Sequence, residues 1–236
     1  MKVIILAGGL GTRLSEETTV KPKPLVEIGN QPILWHIMKI YQRFGLYDFV
    51  VCTGYKSEMI EKYCDQFVAE NEDIKVQALY TGEQTSTGGR IKKAWEQLGH
   101  ETILATYGDG VSDLRVDKLI KFHQEHQRFA TVTAVRPPAR FGRLHLDGNV
   151  VTEFGEKNQS EEGWINGGFF VLSPQVREYL LDYETPFEHY PLMTLAKSNQ
   201  LMAYKHEGFW QPMDTLREKM ELEEMWNSGK APWRVW

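Results

Sequence analysis

The chain has 236 residues, a formal net charge of −5 and 42% hydrophobic residues, which suits an α/β fold with a substantial buried core. An acidic balance argues against a nucleic-acid-binding protein, which usually carries a basic face. No apolar run reaches the length of a membrane span, and the short apolar run at the N-terminus enters a glycine-rich loop instead of a signal-peptide cleavage site. We therefore expect a cytoplasmic protein with no nucleic-acid or membrane partner.

The N-terminal segment joins a buried strand to a glycine-rich loop. Residues 3–7 are apolar and rich in β-branched side chains, as expected of a strand. Three glycines within residues 8–11 leave room for a ligand against the backbone, and successive N–H groups in such a turn form an anion site. Arg13 and Lys23 add two cations, the second between prolines. The segment predicts a polyphosphate pocket in which Lys23 contributes charge and not packing.

Two other glycine motifs do not fit this loop. A P-loop requires Gly-Lys-Ser/Thr, whereas Gly11 is followed by Thr12 and Arg13. A dinucleotide fingerprint requires glycine where Leu14 stands, and an acidic residue after the second strand, which ends in Cys-Thr-Gly at 52–54. An ordinary glycine turn would leave the two cations unexplained.

Helices and strands alternate in the first half of the chain. Apolar spacing and turn residues predict strands at 48–53, 74–80 and 102–107, and helices at 31–44, 56–69 and 90–98. This alternation predicts an α/β fold with a Rossmann-like, mostly parallel sheet, right-handed crossovers and helices on both faces.

The second half of the chain has shorter elements. It contains predicted strands at 130–135, 144–146, 150–154, 167–172 and 201–206, and predicted helices at 116–129, 174–181, 187–197 and 214–228. These strands suggest antiparallel additions to the sheet that form one side of a cleft. No linker or repeat interrupts the chain, so we expect a single domain over residues 1–236.

Cysteines, histidines and tryptophans give little sign of a site. Cys52 and Cys64 lie in apolar segments and are expected to be reduced core thiols. His123 and His126 share a helix face that we expect to be solvated, because no third ligand supports zinc. The tryptophans near the C-terminus are expected to pack or to form subunit contacts.

Two aspartates could hold a metal. Asp109 stands between glycines just after a predicted strand, where ligands of open parallel sheets bind. It is either a metal ligand or part of an Asp-Gly turn, and Asp113 has a weaker claim. Asp214 is either a second ligand or the N-cap of the last helix. Residues 85–90, Thr-Ser-Thr-Gly-Gly-Arg, could bind a nucleobase or an anion, or simply cap a helix.

Several segments carry a family resemblance. The sequences AGGLGTRL at 7–14 and KPKP at 21–24 resemble the signature of the sugar-1-phosphate nucleotidylyltransferases. Four later segments resemble one branch of this family, the glucose-1-phosphate cytidylyltransferases. They are TGGR at 87–90, YGDGVSD at 107–113, WINGGFF at 164–170 and GFWQPMDT at 208–215. The resemblance covers nearly the whole chain and implies the nucleotide-diphospho-sugar transferase fold, with the antiparallel additions on the sugar side of the cleft.

The resemblance also implies an activity. It implies transfer of a cytidylyl group from CTP to α-D-glucose 1-phosphate, giving CDP-glucose and pyrophosphate, within nucleotide-sugar and O-antigen biosynthesis. It implies a Mg²⁺ cofactor and a homo-oligomer, with a hexamer as one arrangement. Two alternatives stay open: a uridylyl- or thymidylyltransferase that uses the same machinery, and a non-catalytic sugar-nucleotide sensor.

The resemblance assigns roles residue by residue. Arg13, Lys23 and Asp109 are implied to be catalytic, and Asp109 and Asp214 are implied to bind the metal. The implied substrate-binding residues are Leu6, Ala7, Gly8, Gly9, Leu10, Gly11, Thr12, Arg13, Lys23, Thr85, Gly88, Arg90, Gly108, Glu156, Lys157, Asn166 and Gly168.

The sugar side is implied by the later segments. Lys157 is implied to contact the sugar phosphate, Glu156 the sugar hydroxyls, and Asn166 the hexose, with residues 140–142 flanking the sugar. This chain departs from the family at Asn158, where many relatives have proline. It also departs at residues 70–73, a connection that is longer in the cytidylyltransferase branch.

Overall fold

A computed structural model describes residues 1–137, 142–147, 149–156 and 163–236. Four residues discussed above, Arg140, Phe141, Lys157 and Asn158, lie outside the described residues. The backbone of Glu156 is described as the last residue of a strand, but its side chain is not described.

The strands of the described residues are, in chain order, β1 (Val3–Leu6), β2 (Glu27–Ile28), β3 (Gln31–Pro32), β4 (Asp48–Thr53), β5 (Lys75–Tyr80), β6 (Ile103–Tyr107), β7 (Gly110–Ser112), β8 (Ala130–Val135), β9 (Gly142–Asp147), β10 (Val150–Glu156), β11 (Ile165–Leu172), β12 (Leu201–His206) and β13 (Trp210–Pro212). The α-helices are α1 (Ser15–Thr18), α2 (Ile33–Gln42), α3 (Ser57–Glu70), α4 (Thr87–Glu96), α5 (Val116–His126), α6 (Tyr190–Lys197) and α7 (Leu216–Asn227). Short 3₁₀ helices occur at Thr12–Leu14, Lys23–Leu25 and Pro174–Tyr179.

A central sheet organises the described part of the chain. Its seven strands run in the order β12-β8-β11-β6-β1-β4-β5. β1 pairs in parallel with β4 and β6, and β4 pairs in parallel with β5. β11 is antiparallel to both of its neighbours, β6 and β8. The prediction of a mostly parallel sheet with antiparallel additions is confirmed, and the carboxyl ends of β1, β4 and β6 meet at one edge.

Both faces of this sheet are covered by apolar side chains. Successive residues of a strand point to opposite faces, so Ile5 and Phe169 join one buried layer while Ile4 and Phe170 join the other. The strand β1 is apolar throughout because it is covered on both sides. This burial fixes the register of β1 and therefore the position of the glycine loop that follows it.

Several predicted boundaries differ from those observed. The strands predicted at 48–53, 130–135 and 201–206 are confirmed residue for residue. The helix predicted at 90–98 begins earlier, at Thr87, because the Ser86 hydroxyl oxygen accepts a hydrogen bond from the Gly89 N–H at 3.1 Å. The helix predicted at 174–181 is a 3₁₀ helix, and β7 and β13 were not predicted.

The C-terminal tryptophans pack against one another and against α2. Trp226, Trp233 and Trp236 surround Trp35 and His36, with ring centroids 4.6–6.4 Å apart. His36 is fully buried, and its Nε2 lies 2.9 Å from the carbonyl oxygen of residue 28 while its Nδ1 accepts from the indole N–H of Trp233. The predicted packing role of these tryptophans is confirmed.

The prediction of a solvated face at His123 is wrong. His123 is only 5% exposed, and its ring nitrogens lie 2.8 Å from the Thr131 hydroxyl and 2.9 Å from the Ser173 hydroxyl. Helical spacing alone did not show that α5 presents this residue to the sheet. Cys52 and Cys64 are both buried and free, as predicted.

No helix in the described ranges is both long and apolar enough to cross a bilayer.

Two buried histidines should make the stability of the fold sensitive to acid. Burial lowers the pKa of His36 and of His123 from 6.5 to about 4. Because the folded pKa lies below the unfolded one, their contribution to stability is complete above pH 6.5 and is lost as the pH falls towards 4. As the pH falls from 6.5 to 4, each of these histidines takes up a proton in the unfolded chain but not in the folded one. The free energy of unfolding should therefore fall by roughly 2 to 3 kcal/mol per histidine over this window. His123→Gln should flatten the profile measured by denaturant titration, whereas the same change at the exposed His100 should leave it unaltered. Equal slopes for both variants would contradict the assignment.

Candidate active site

The glycine loop forms one wall of a cleft at the carboxyl end of β1. A cavity of about 400 Å³ lies between this loop and residues 85–87, which lead into α4. Arg13, Lys23 and Asp109 line it together with glycines of the loop. The cavity therefore combines a glycine-rich backbone with cations, a combination suited to phosphates.

Arg90 holds the glycine loop in place through hydrogen bonds to backbone carbonyl oxygens. The residue is 4% exposed, and its guanidinium donates to the carbonyl oxygens of Gly8 (2.9 Å), Thr53 (2.9 Å) and Glu83 (3.2 Å), and to the Thr81 hydroxyl (2.6 Å). Burial lowers its pKa, yet a guanidinium stays charged at neutral pH. Among the described residues it forms no ion pair with a carboxylate. A direct substrate contact for Arg90 stays a prediction, since these hydrogen bonds already connect three loops.

Lys23 connects the two predicted metal ligands. Its Nζ lies 2.7 Å from Oδ2 of Asp109 and 2.6 Å from Oδ1 of Asp214. Nη1 of Arg13 lies 2.7 Å from the other oxygen of Asp214. Only 10% of the Lys23 side chain is exposed, so the prediction that it contributes charge and not packing is wrong. Lys23 is the first residue of the short 3₁₀ helix Lys23–Leu25, and all three residues of this helix are buried.

A small antiparallel ribbon places the two aspartates side by side. β7 pairs with β13 so that Gly110 faces Pro212, and the N–H of Met213 donates to the carbonyl oxygen of Asp109 at 2.7 Å. Asp109 directly precedes β7 and Asp214 follows β13 after one residue, so both aspartates lie at the same end of this ribbon. Sequence patterns did not reveal either strand, because three residues containing glycine or proline are too short for a periodic signal.

The cap of α7 settles one alternative for Asp214. Thr215 is the N-cap, since its hydroxyl oxygen accepts from the N–H of Glu218, and Glu218 accepts from the N–H of Thr215 in return. Asp214 is therefore not the N-cap. It is 9% exposed and its carboxylate contacts Lys23 and Arg13.

The two carboxylates fit a divalent cation. Both are within hydrogen-bond reach of one ammonium group, so the fold already brings two aspartate oxygens around a single positive charge. Mg²⁺ characteristically takes one or two carboxylates together with phosphate oxygens and waters. In the part of the chain that the structure describes, no group of three or more His, Cys, Asp or Glu could hold a metal. A metal here would depend on a phosphate ligand to complete its coordination.

A second cavity of about 510 Å³ adjoins the first. Asn166 and Trp210 line it, and it shares Arg13, Tyr107 and Asp109 with the first cavity. The site therefore has two compartments that meet at one charged boundary, as needed for two substrates that react with each other.

Most of the predicted site residues lie in these two cavities. Leu6, Ala7, Gly8, Gly9, Gly11, Thr12, Arg13, Lys23, Thr85, Arg90, Gly108 and Asp109 line the first, and Asn166 and Asp214 line the second. Among the predicted residues whose side chains the structure describes, three line neither cavity. Leu10 is 50% exposed, Gly88 packs in α4 against the backbone of residues 185–187, and Gly168 packs against the Tyr107 ring.

Asp113 lies outside both cavities. Its Oδ1 is 2.9 Å from Nε2 of His206. Tyr107, to which the sequence assigned no role, lines both cavities and contacts Glu188, a residue that the sequence did not single out. They are 81 positions apart, so no local motif could have linked them.

The glycines of the loop should respond differently to a methyl group. A Cβ on Gly8 would lie 2.0 Å from Nη1 of Arg90, and that guanidinium is held by its four hydrogen bonds. A Cβ on Gly9 would meet nothing within 4 Å. Gly8→Ala should lower the melting temperature by roughly 4 to 8 °C, whereas Gly9→Ala, the matched control, should change it by about 2 °C or less. Differential scanning calorimetry without added ligand tests this. Equal melting temperatures for the two variants would show that Arg90 does not hold the loop.

The chain matches known proteins over its full length. A family model described as nucleotidyl transferase matches residues 2–215. The glucose-1-phosphate cytidylyltransferase of Salmonella typhi is 49% identical over 256 aligned positions that cover all of both chains. The probable glucose-1-phosphate cytidylyltransferase of Bacillus subtilis (strain 168) is 44% identical, again with full coverage of both. Both alignments are longer than the 236 residues of this chain, so the relatives contain residues that it lacks.

Solved structures show the same fold. HddC from Yersinia pseudotuberculosis complexed with GMP-PN is 26% identical, with a TM-score of 0.72 over 95% of this chain and 99% of that chain. A putative glucose-1-phosphate thymidylyltransferase from Bacillus anthracis has a TM-score of 0.74 over 95% of this chain and 94% of that chain. Because the two sequences are only 18% identical, this likeness shows the fold alone. The family resemblance read from the motifs is confirmed, and the chain belongs to the nucleotidyl transferase family.

Proposed function

We propose that the protein transfers a cytidylyl group from CTP to α-D-glucose 1-phosphate, releasing CDP-glucose and pyrophosphate. The observation that carries the proposal is the pair of adjoining cavities that share Arg13, Tyr107 and Asp109. Full-length relatives named glucose-1-phosphate cytidylyltransferase, at 44–49% identity, support the choice of substrates. The nucleotide would occupy the cavity beneath the glycine loop, and the sugar phosphate the cavity beside Asn166.

The chemistry is a single in-line displacement. A phosphate oxygen of glucose 1-phosphate forms a bond to the α-phosphorus of CTP, while the bond from that phosphorus to the bridging oxygen of the β-phosphate breaks. Pyrophosphate leaves with that electron pair. No covalent enzyme intermediate is needed, because two anions held in line react once their mutual repulsion is offset.

The chain's own cations have separate tasks in this scheme. Arg13, whose side chain is 71% exposed, can present its planar fork to the triphosphate and to the leaving pyrophosphate. Lys23 lies deeper, where its ammonium group is fixed by two carboxylates. It would contact the phosphates from the floor of the cleft. Lys157, outside the described residues, is proposed to contact the sugar phosphate, with Glu156 near the sugar hydroxyls.

We also propose that Asp109 and Asp214 hold Mg²⁺ together with phosphate oxygens. When bound, the ion would neutralise charge on the phosphates and polarise the α-phosphoryl group. Residues 1–236 are proposed to act as one nucleotidyltransferase domain in a cytoplasmic homo-oligomer, for which a hexamer is one arrangement. Sedimentation velocity measures that assembly directly.

Nucleotide choice separates the proposal from its alternatives. With glucose 1-phosphate and Mg²⁺, initial rates of pyrophosphate release should give a kcat/KM for CTP at least about tenfold above those for UTP, dTTP and GTP, a difference of about 1.4 kcal/mol in transition-state binding. A preference for UTP or dTTP would favour the alternative transferases. Tight nucleotide binding without turnover by any of them would favour the non-catalytic sensor.

Removing either metal carboxylate should slow the reaction strongly. Asp109→Asn and Asp214→Asn should each lower kcat on the order of 10²-fold, because the amide keeps the shape but loses the charge that a hard cation requires. The double variant should lose much less than the product of the single losses, since both residues serve one ion.

Asp113→Asn is the matched control, because Asp113 lies outside both cavities and pairs with His206. Initial rates against Mg²⁺ concentration should be close to normal for this variant. An Asp214→Asn enzyme with normal rates and unchanged Mg²⁺ dependence would remove Asp214 from the metal site.

A further inference from the structure

The carboxamide of Asn166 has a fixed orientation. Its Oδ1 lies 2.8 Å from the backbone N–H of Gly168. Because that N–H can only donate, the facing atom must be the carbonyl oxygen and the other must be the amide nitrogen. Nδ2 then donates to the hydroxyl oxygen of Tyr107 at 3.0 Å. Among the described residues this Nδ2 has no further partner, so its second N–H remains available.

The direction of the next hydrogen bond follows from the carboxylate of Glu188. A carboxylate only accepts, so the phenol of Tyr107 donates its proton to Oε1 of Glu188. The Thr87 hydroxyl donates to the other oxygen, Oε2, at 2.6 Å. Thr87 in turn accepts from the N–H of Phe187 at 2.9 Å. Each hydrogen bond in this series therefore has one assigned direction. The series ends at the Glu188 carboxylate, which accepts from both Tyr107 and Thr87.

The backbone around Asn166 is shaped to hold this arrangement. The pairing of β11 with β8 is irregular between Asn166 and Phe170, a bulge of the kind often found beside active sites. Gly168 has a φ of +77°, and a Cβ there would lie 2.3 Å from the Tyr107 ring. The indole N–H of Trp210 donates to the carbonyl oxygen of Gly167 at 2.8 Å. The strand is thus fixed immediately after Asn166.

We propose that Glu188 and Tyr107 are positioning residues for recognition of the hexose. Because Glu188 accepts the phenol proton, Tyr107 can accept from Asn166, and Asn166 keeps its second N–H as a donor to one sugar hydroxyl. Glu188 itself lines neither cavity, so it acts through Tyr107 and Asn166. The inference rests on the proposed placement of the sugar phosphate in the second cavity.

The position of Tyr107 agrees with this role. Tyr107 lines both cavities, which places this chain of hydrogen bonds at the boundary between the two proposed substrates.

Four deoxy analogues of glucose 1-phosphate, lacking the 2-, 3-, 4- or 6-hydroxyl, test the proposal. The unmodified protein should lose about tenfold in kcat/KM for the analogue that lacks the partner hydroxyl, the size of one hydrogen bond. Tyr107→Phe and Glu188→Met should remove most of this discrimination. Both should raise the KM for glucose 1-phosphate by about tenfold while changing the KM for CTP by less than about threefold.

Two further variants separate positioning from a general loss of structure. Glu188→Gln should restore discrimination relative to Glu188→Met, because its amide oxygen can still accept from the phenol. Tyr183→Phe is the matched control: Tyr183 also donates to a glutamate, Glu96, at 3.1 Å, but lines neither cavity. It should leave sugar discrimination unchanged. A purely structural effect would lower the melting temperature without altering the ratio between glucose 1-phosphate and its analogue.

Asn166→Ala separates the positioning role of Tyr107 and Glu188 from the placement of the hexose beside Asn166. If Asn166→Ala loses the discrimination while Tyr107→Phe and Glu188→Met keep it, the positioning role is overturned and the hexose placement stands. If Asn166→Ala also keeps full discrimination, the hexose does not contact Asn166, and both the positioning role and this part of the proposed site are overturned.

Discussion

Lys23 lies between two carboxylates that come from distant parts of the chain, and the geometry of the cleft depends on that contact. Without the ammonium group that both contact, Asp109 and Asp214 would repel each other, and desolvating either one alone is costly. The ammonium group of Lys23 contacts one oxygen of each, and Arg13 contacts the remaining oxygen of Asp214. Two positive and two negative side chains thus balance locally at the floor of the cleft. A site built to receive highly charged phosphates keeps its own charges compensated in this way.

The rest of the fold brings these charges together. Parallel pairing of β1 with β4 and β6 puts the glycine loop and Asp109 at one edge of the sheet, and the β7–β13 ribbon brings Asp214 to the same point. Arg90 holds the loop from beneath by hydrogen bonds to three backbone carbonyls. On the other side, the bulge at Asn166 and the Tyr107–Glu188 contact shape the second cavity. The nucleotide side and the sugar side therefore share a rigid boundary at Tyr107 and Asp109.

Local patterns predicted the sheet well because its central strands are apolar runs with clear turn signals. The glycine loop, Arg13, Lys23 and Asp109 could be singled out from residue type and spacing. Asp214 was one of two alternatives at its position, and the resemblance favoured the metal ligand and added Asn166. Other features had no local signal. The burial of Lys23 and the contact between Tyr107 and Glu188 arise from residues far apart in sequence, where tertiary packing decides the outcome. The cap at Thr215, in contrast, had a local signal, because a glutamate stands three residues after it. Helical spacing likewise placed His123 and His126 on one face but could not show that this face is turned towards the sheet.

The stability of the Lys23 contact, measured without added nucleotide or metal, tests the account most directly. Denaturant unfolding would compare Lys23→Met, the double variant Asp109→Asn with Asp214→Asn, and all three changes combined. Lys23→Met alone should lower the free energy of unfolding by roughly 3 to 5 kcal/mol, because it leaves the carboxylates facing each other without their shared counter-charge. The triple variant should be more stable than Lys23→Met, since neutral amides need no such charge. A Lys23→Met protein within about 0.5 kcal/mol of the unmodified chain, or strictly additive losses, would contradict the view that these residues act as one electrostatic unit.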